Sequence, residues 1–322
     1  MQRRLPVFFL VDTSESMAGS PMSAVTHGFK SLISAMQADP RCIESVHVSV
    51  ITFGGTARVL LPLTPVEEVS SLRFTFGCGT SLGEGLDLLL NAFRSDLRSS
   101  AAHGRGDWRP LCFLLSDGSP TDAWQEPARK IRALHDAGRC FMAALACGPD
   151  AEVDTLRAIT PIVHQSDVDP TSLAEYFKWV TKSMRVASIT TGDLPIFASP
   201  ALVAPSESAP ARRPGLFLIT RCQKTRLHCL MKYRWAQGLY QATESVAIEE
   251  LETSKMSGQE INTSILGPCL PCPRCEAAGW AMCGVCNRLF CHSHGVKDCV
   301  CPWCAAPGFI EVRDFGLTGS GG

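Results

Sequence analysis

The chain carries almost no net charge: 30 Lys and Arg against 31 Asp and Glu leave -1 over 322 residues. Without a surplus of one sign there is no global field to draw in a polyanion or an anionic membrane surface. Long apolar runs are missing as well. Asp12, Asp117 and Gly148 interrupt the longest of them well before the ~18 residues that a membrane-spanning helix needs. The start, MQRRLPVFFLVDTSESM, places basic residues before a short apolar stretch, but Asp12 cuts it and no small-residue cleavage pattern follows. That stretch reads as the first core strand and not as an export signal. Nor does a phosphate-cradling loop follow it, since neither Gly-x-Gly-x-x-Gly nor Gly-Lys-Ser/Thr is present there. What is there is globular: 45% apolar and 19% charged residues, in a chain long enough for two folded units.

Cysteine divides the chain. Of 16, five lie before residue 188, two are Cys222 and Cys229, and nine fall between Cys269 and Cys304. Isolated cysteines in apolar strands, such as Cys112 and Cys147, read as small buried hydrophobes. The dense cluster, in a chain with no export signal, points to a reducing compartment and to metal in place of disulfides. A cytoplasmic location is the expectation.

Residues 1–187 alternate between strand and helix. Val7 to Val11 and Leu111 to Leu115 are almost unbroken apolar strands, while Met22 to Met36 and Leu82 to Leu97 carry apolar residues at a helical period. Val46 to Phe53 and Ala57 to Leu61 flank Gly54-Gly55 and read as a hairpin. Further elements are predicted at Glu126 to Asp136, Cys140 to Ala146 and Leu173 to Met184. This pattern predicts an α/β fold with a doubly wound, mostly parallel sheet covered on both faces. Residues 188–214, rich in Ser, Pro and Ala, read as a linker, 215–266 as a small strand-containing connecting region, and 267–314 as a second, small zinc-binding domain. Seven Arg or Lys and no acid lie between Arg212 and Arg234, but aromatic interleaving is thin, so nucleic-acid binding is the weaker reading.

Oxygen-bearing side chains gather at the carboxyl ends of the predicted elements. Asp12-Thr-Ser14-Glu-Ser16 follows the first strand, Thr80 sits in a Gly-rich loop before a helix, and Ser116-Asp117-Gly follows another strand. Open α/β sheets bind ligands on that edge, at the topological switch point. Carboxylates and hydroxyls are hard donors that suit Mg²⁺, with Mn²⁺ or Ca²⁺ as alternatives, and suit zinc poorly. With only Asp12 and Asp117 to neutralise it, an ion held also by Ser14, Ser16 and Thr80 stays electrophilic and keeps a vertex for a partner's Asp or Glu. The bland alternative assigns Ser14 and Ser16 to helix capping, Asp12 to an Asx turn and Asp117 to a cap. A phosphatase using an aspartyl nucleophile would want an acid where Ser14 stands, and the three loops hold no histidine base, although His27 lies in the first predicted helix.

The cysteine cluster contains four ligand pairs: Cys272 with Cys275, Cys283 with Cys286, Cys291 with His294, and Cys301 with Cys304. Eight donors suit two tetrahedral Zn²⁺ ions. Two pairings are open. A cross-braced arrangement joins Cys272 and Cys275 to Cys291 and His294, and Cys283 and Cys286 to Cys301 and Cys304. A sequential one joins the first two pairs and then the last two. Cys269, His292 and Cys299 remain over in both.

The order Asp12-x-Ser14-x-Ser16, Thr80 and Ser116-Asp117-Gly resembles the metal-ion-dependent adhesion site of von Willebrand factor A domains. Within them, Phe76-Gly-Cys-Gly-Thr80-Ser-Leu-Gly-Glu and the following cysteine-rich region are similar to the bacterial TerY-like proteins of tellurium-resistance and related stress gene clusters. The resemblance implies a Rossmann-like fold, a magnesium ion on Asp12, Ser14, Ser16, Thr80 and Asp117, and protein binding in place of catalysis. It also implies kinase-like and PP2C-type phosphatase partners. A metal-dependent phosphatase or hydrolase, or a nucleic-acid-binding zinc adaptor, are the rival functions.

Overall fold

A computed structural model describes residues 3–99, 106–148, 151–166, 170–187, 215–252, 259–293, 298–309 and 316–321. The predicted linker at 188–214 and His294 lie outside them. The chain forms two compact units. The first comprises Met1–Thr13, Ser20–Phe74 and Thr80–Glu207, and the second Ser14–Gly19, Thr75–Gly79 and Ser208–Gly322.

The elements up to residue 187 are β1 (Leu5–Asp12), α1 (Ser20–Gln37), α2 (Pro40–Ser45), β2 (Val46–Phe53), β3 (Ala57–Pro65), β4 (Phe76–Gly77), α3 (Leu82–Ser95), β5 (Leu111–Ser116), α4 (Gln125–Asp136), β6 (Phe141–Cys147), α5 (Val153–Ile159), β7 (Val163–Ser166) and α6 (Pro170–Ala187). The first unit is built on a six-stranded sheet in the order β3-β2-β1-β5-β6-β7. Every pairing is parallel except the β2–β3 hairpin. Strands buried on both faces need apolar residues at successive positions, and β1 is buried along its whole length. Its alternate residues face opposite layers. Phe8 and Leu10 join the cluster that holds Leu86 and Leu89 of α3 and Ile131 of α4. Phe9 instead lies 5.5 Å from Phe113 and 5.3 Å from Phe29 of α1. Gly28 lets α1 approach α6 closely, since a Cβ there would fall 2.2 Å from the Phe177 ring. Because β2 and β5 flank β1 on opposite sides, the switch point falls at the carboxyl ends of β1 and β5.

The second unit contains β8 (Leu216–Arg221), β9 (His228–Ala236), β10 (Leu239–Ala247), β11 (Leu251–Glu252), β12 (Gln259–Asn262), β13 (Gly279–Met282), β14 (Leu289–His292), β15 (Asp298–Val300), β16 (Pro307–Phe309) and β17 (Gly316–Gly321). Its main sheet runs β10-β9-β8-β14-β13, and β17 shares the edge of β8 with β14. The sequence reading separates 215–266 from 267–314, but the sheet crosses that boundary. The reason lies in β8, whose alternation serves two layers. Leu216 and Leu218 pack with Met231, Tyr233 and Leu289, while Phe217 and Ile219 pack with Leu230, Ile248, Ala18 and Cys78. A strand with two apolar faces needs cover on both, and β14 from the cysteine-rich region supplies its remaining edge. β4 belongs here too, pairing in parallel with β11. No described helix is long and apolar enough to cross a membrane.

Candidate metal centres

Of the five oxygen donors, Asp12, Thr80 and Asp117 belong to the first unit. Asp12 is the last residue of β1 and fully buried, and its carboxylate accepts a hydrogen bond from the Ser116 hydroxyl at 2.6 Å. Asp117 follows β5 directly, and its backbone carbonyl accepts from Glu152 N–H at 2.6 Å. The two carboxylates bear on one buried thiol: burial pushes Cys147 well up, and the charges of Asp117 and Asp12 push it further. Thr80 is buried just before α3 and is tied to the Asp117 loop twice. Its N–H donates to Thr121 Oγ1 at 3.0 Å, and its carbonyl accepts from Thr121 N–H at 2.9 Å. Asp122 from the same loop accepts from Gly83 and Glu84 N–H, both at 3.0 Å, and so caps α3. That cap answers the helix's exposed N–H groups. Asp117 caps neither α3 nor α4, since α4 starts after Trp124 with no side-chain cap, and its carboxylate accepts from Ser119 N–H at 3.2 Å within its own loop.

Ser14 and Ser16 belong to the second unit. Ser14 precedes a single 3-10 turn, Glu15–Met17, yet makes no side-chain cap bond, and its hydroxyl shares a 2.9 Å hydrogen bond with Ser16 Oγ. Helix capping therefore does not account for Ser14. His27, the one histidine that sequence reasoning offered as a base, is exposed on α1.

The cysteines form two tetrads with all ligand atoms within 4.8 Å of one another: Cys222, Cys272, Cys275 and Cys291, and Cys283, Cys286, Cys301 and Cys304. The second is the cross-braced set. The first keeps three of its predicted members and takes Cys222 as the fourth thiol where sequence reasoning placed His294. The sequential pairing is not formed. The cause is strand pairing: Phe290 lies opposite Arg221 in the parallel β14–β8 ladder, so the next residues, Cys291 and Cys222, leave the ladder together.

Four loops share one backbone device. In each, the first cysteine donates N–H to the carbonyl five residues on and accepts at its own carbonyl from the N–H four residues on, at 2.9 or 3.0 Å. These loops start at Cys222, Cys272, Cys283 and Cys301, and their fifth residues, Arg226, Glu276, Asn287 and Ala305, all have positive φ. In the first of them Thr225 stands where the others have a second cysteine, and Cys291 completes the tetrad. This explains why pair counting missed Cys222; the signal available was the Cys-x-x-Thr spacing.

The thiols suit zinc. Sulfur separations of 3.5 Å for Cys275 and Cys291, and 3.7 Å for Cys283 with Cys304 and Cys286 with Cys301, exceed a disulfide's. They approach the edge of about 3.8 Å that a tetrahedron with Zn–S bonds of about 2.3 Å has. Backbone N–H groups aim at sulfur: Gln223 at Cys291, 3.2 Å, Val285 at Cys283, 3.4 Å, and Trp303 at Cys301, 3.4 Å. Such donors favour the thiolate that a metal takes, although at Cys291 and Cys301 burial and the neighbouring thiols outweigh them and raise the pKa. Burial pushes Cys222 up, but the Thr225 hydroxyl and N–H outweigh it and bring its pKa to about 6. At Cys283, burial is likewise outweighed by the N–H groups of Cys286 and Val285, giving about 7. Of the remaining three, Cys269 accepts from Tyr233 Oη at 3.3 Å, Cys299 donates to Gly308 O at 3.5 Å, and His292 is buried.

A parallel sheet with this switch point and these loops defines the class. Residues 7–177 match the von Willebrand factor type A domain, and the chain belongs to that family. A curated relative, "Uncharacterized protein sll0103" of Synechocystis, is 24% identical over 208 residues, covering 62% of this chain and 46% of its own. The chain thus spans about half the length of the curated relative it matches. Among solved structures, a von Willebrand factor type A protein from Catenulispora acidiphila superposes with a TM-score of 0.43 at 15% identity, covering 82% of this chain and 68% of that one. Proximal thread matrix protein 1 from the mussel byssus, with a zinc-occupied MIDAS motif, superposes with a TM-score of 0.41 at 17% identity, covering 57% and 48%.

Proposed function

We propose that the chain is a non-enzymatic, metal-dependent protein-binding module of the cytoplasm. One Mg²⁺ or Mn²⁺ is held by Asp12, Ser14, Ser16, Thr80 and Asp117, and two Zn²⁺ are held by the two thiol tetrads. The observation that carries the first site is the buried Asp12 carboxylate, oriented by Ser116 beside the loop that secures Thr80. A hard cation adds charge neutralisation to what hydrogen bonds give a buried carboxylate. With two carboxylates among five donors, the ion retains affinity for a further carboxylate, which a partner's Asp or Glu provides. The zinc ions supply folding energy to the second unit. The similarity to TerY-like proteins supports a role in a bacterial tellurite or chemical-stress response, beside kinase-like and PP2C-type phosphatase partners.

The test is capture of those two candidate partners by immobilised full-length chain. Binding is expected in Mg²⁺, lost in EDTA followed by zinc repletion, and lost in Asp12→Ala and Thr80→Ala. Partner binding that ignores Mg²⁺ and both substitutions contradicts the role. Phosphopeptide turnover abolished by Asp12→Ala assigns hydrolysis in its place.

A further inference from the structure

Lys232 occupies an unusual place for an ammonium. It lies on β9 between Met231 and Tyr233, which face the Leu216 and Leu218 layer, so its own side chain points to the opposite layer with Leu230. That layer also holds Ala18 and Cys78. The residue is only 8% exposed. Removing an ammonium from water costs several kcal/mol unless it is paired and hydrogen-bonded, so an apolar residue is what this position favours on packing grounds.

The compensation comes from one short loop. Lys232 Nζ donates to the Ser16 carbonyl at 2.9 Å and to the Ala18 carbonyl, and forms an ion pair with Glu244 Oε2 at 3.2 Å. The loop is shaped to receive this group. Gly19 has φ +83°, and a Cβ there would fall 2.5 Å from Glu244 Oε1. Glu15, in the same turn, accepts from Gly79 N–H at 2.8 Å. The stretch ending at Gly79 is itself bound to β11 and its approach, with Phe76 N–H donating to Glu250 O at 3.4 Å and Cys78 N–H to Glu252 O at 3.2 Å. Ser14–Gly19 and Thr75–Gly79 are thus folded as parts of the second unit.

We infer that Lys232 is a positioning residue for the adhesion loop: one ammonium bonded to the carbonyls of Ser16 and Ala18 fixes the turn that presents the Ser14 and Ser16 hydroxyls. This rests on the metal role of those hydroxyls proposed above. Its consequence is that ion affinity at an N-terminal motif depends on a residue far along the chain that is no ligand. A hydroxyl is a weak neutral donor and contributes to binding a hard cation only when held in place. Freeing the turn therefore lowers affinity without removing a donor.

The experiment uses the zinc-loaded full chain with Lys232→Met and Lys232→Arg. Met keeps the length and apolar stem. Arg keeps the charge beside Glu244 but does not reproduce a single nitrogen between two carbonyls. Two readouts are taken: amide hydrogen exchange across residues 14–19, without added metal, and Mn²⁺ affinity by calorimetry. For either variant that retains wild-type zinc content and circular dichroism, exchange of the 14–19 amides is expected to rise at least tenfold, and Mn²⁺ affinity to fall by a similar factor. Unchanged exchange in a folded variant overturns the inference, as does faster exchange with Mn²⁺ affinity within twofold of wild type. Failure of the wild type itself to bind Mn²⁺, with exchange still raised in the variants, removes the adhesion-site reading and with it the role in metal binding, leaving Lys232 as a clamp on the turn alone.

Discussion

His164 is the counterpart of Lys232, a titratable side chain kept uncharged by burial. It packs 4.9 Å from the Trp179 ring and 5.7 Å from Tyr176, and burial lowers its pKa from 6.5 to about 4. The unfolded chain takes up this proton below pH 6.5, whereas the folded chain does so only near pH 4. Stability is therefore complete above pH 6.5 and declines between 6.5 and 4, the window in which the unfolded state binds more protons. Denaturant titrations of wild type and His164→Phe should show a difference that changes across this window and flattens above it. Parallel curves from pH 7 down to 4 contradict the assignment. Asp12 shows the same economy in a different form, because its burial, costly in isolation, is answered by the Ser116 hydroxyl and, in the proposed state, by a cation.

Among the elements, the Cys-x-x-Cys loops divide cleanly between what the chain spells out and what it hides. Three thiol pairs are explicit at Cys272, Cys283 and Cys301 with their partners, and the period of β1 and α3 is equally plain in their apolar residues. The degenerate loop at Cys222 is not explicit. Its second cysteine is a threonine, and its true partner, Cys291, is brought alongside by a parallel strand pairing between residues about seventy positions apart. Local pattern reports local geometry, and this contact is made by tertiary pairing. The same cause hid the joining of 215–266 to the cysteine-rich region: each strand of the β8–β14 ladder looks ordinary until its neighbour is known. Elemental analysis should give two zinc per wild-type chain and one for Cys222→Ser. Because Cys222 begins the turn between β8 and β9, hydrogen exchange in those strands should accelerate by at least tenfold in that variant, while 301–304 stays protected. Two zinc ions retained in Cys222→Ser would return the fourth ligand to another residue.

At the scale of the whole molecule, the von Willebrand factor type A assignment was legible because its motif is written in residue types at loop positions that the parallel sheet dictates. Strand order alone puts Asp12 and Asp117 at the carboxyl ends of the neighbouring strands β1 and β5, whereas Thr80 is tied to the Asp117 loop through Thr121. The membership of Ser14–Gly19 and Thr75–Gly79 in the second unit was not legible, since neither segment carries a repeat, a charge run or a composition shift. It is enforced by Lys232, Glu15 and the β4–β11 pairing, contacts between positions with no common local pattern. In the proposed reading, hard-donor oxygen chemistry and soft-donor sulfur chemistry are kept on different residues, so that each ion type would find ligands suited to it. The most direct measurement is calorimetric titration of Mn²⁺ into the zinc-loaded full chain, beside Asp12→Ala. The account predicts one saturable hard-cation site per chain that Asp12→Ala abolishes with zinc content unchanged, and a titration with no saturable site, or one indifferent to Asp12→Ala, contradicts it.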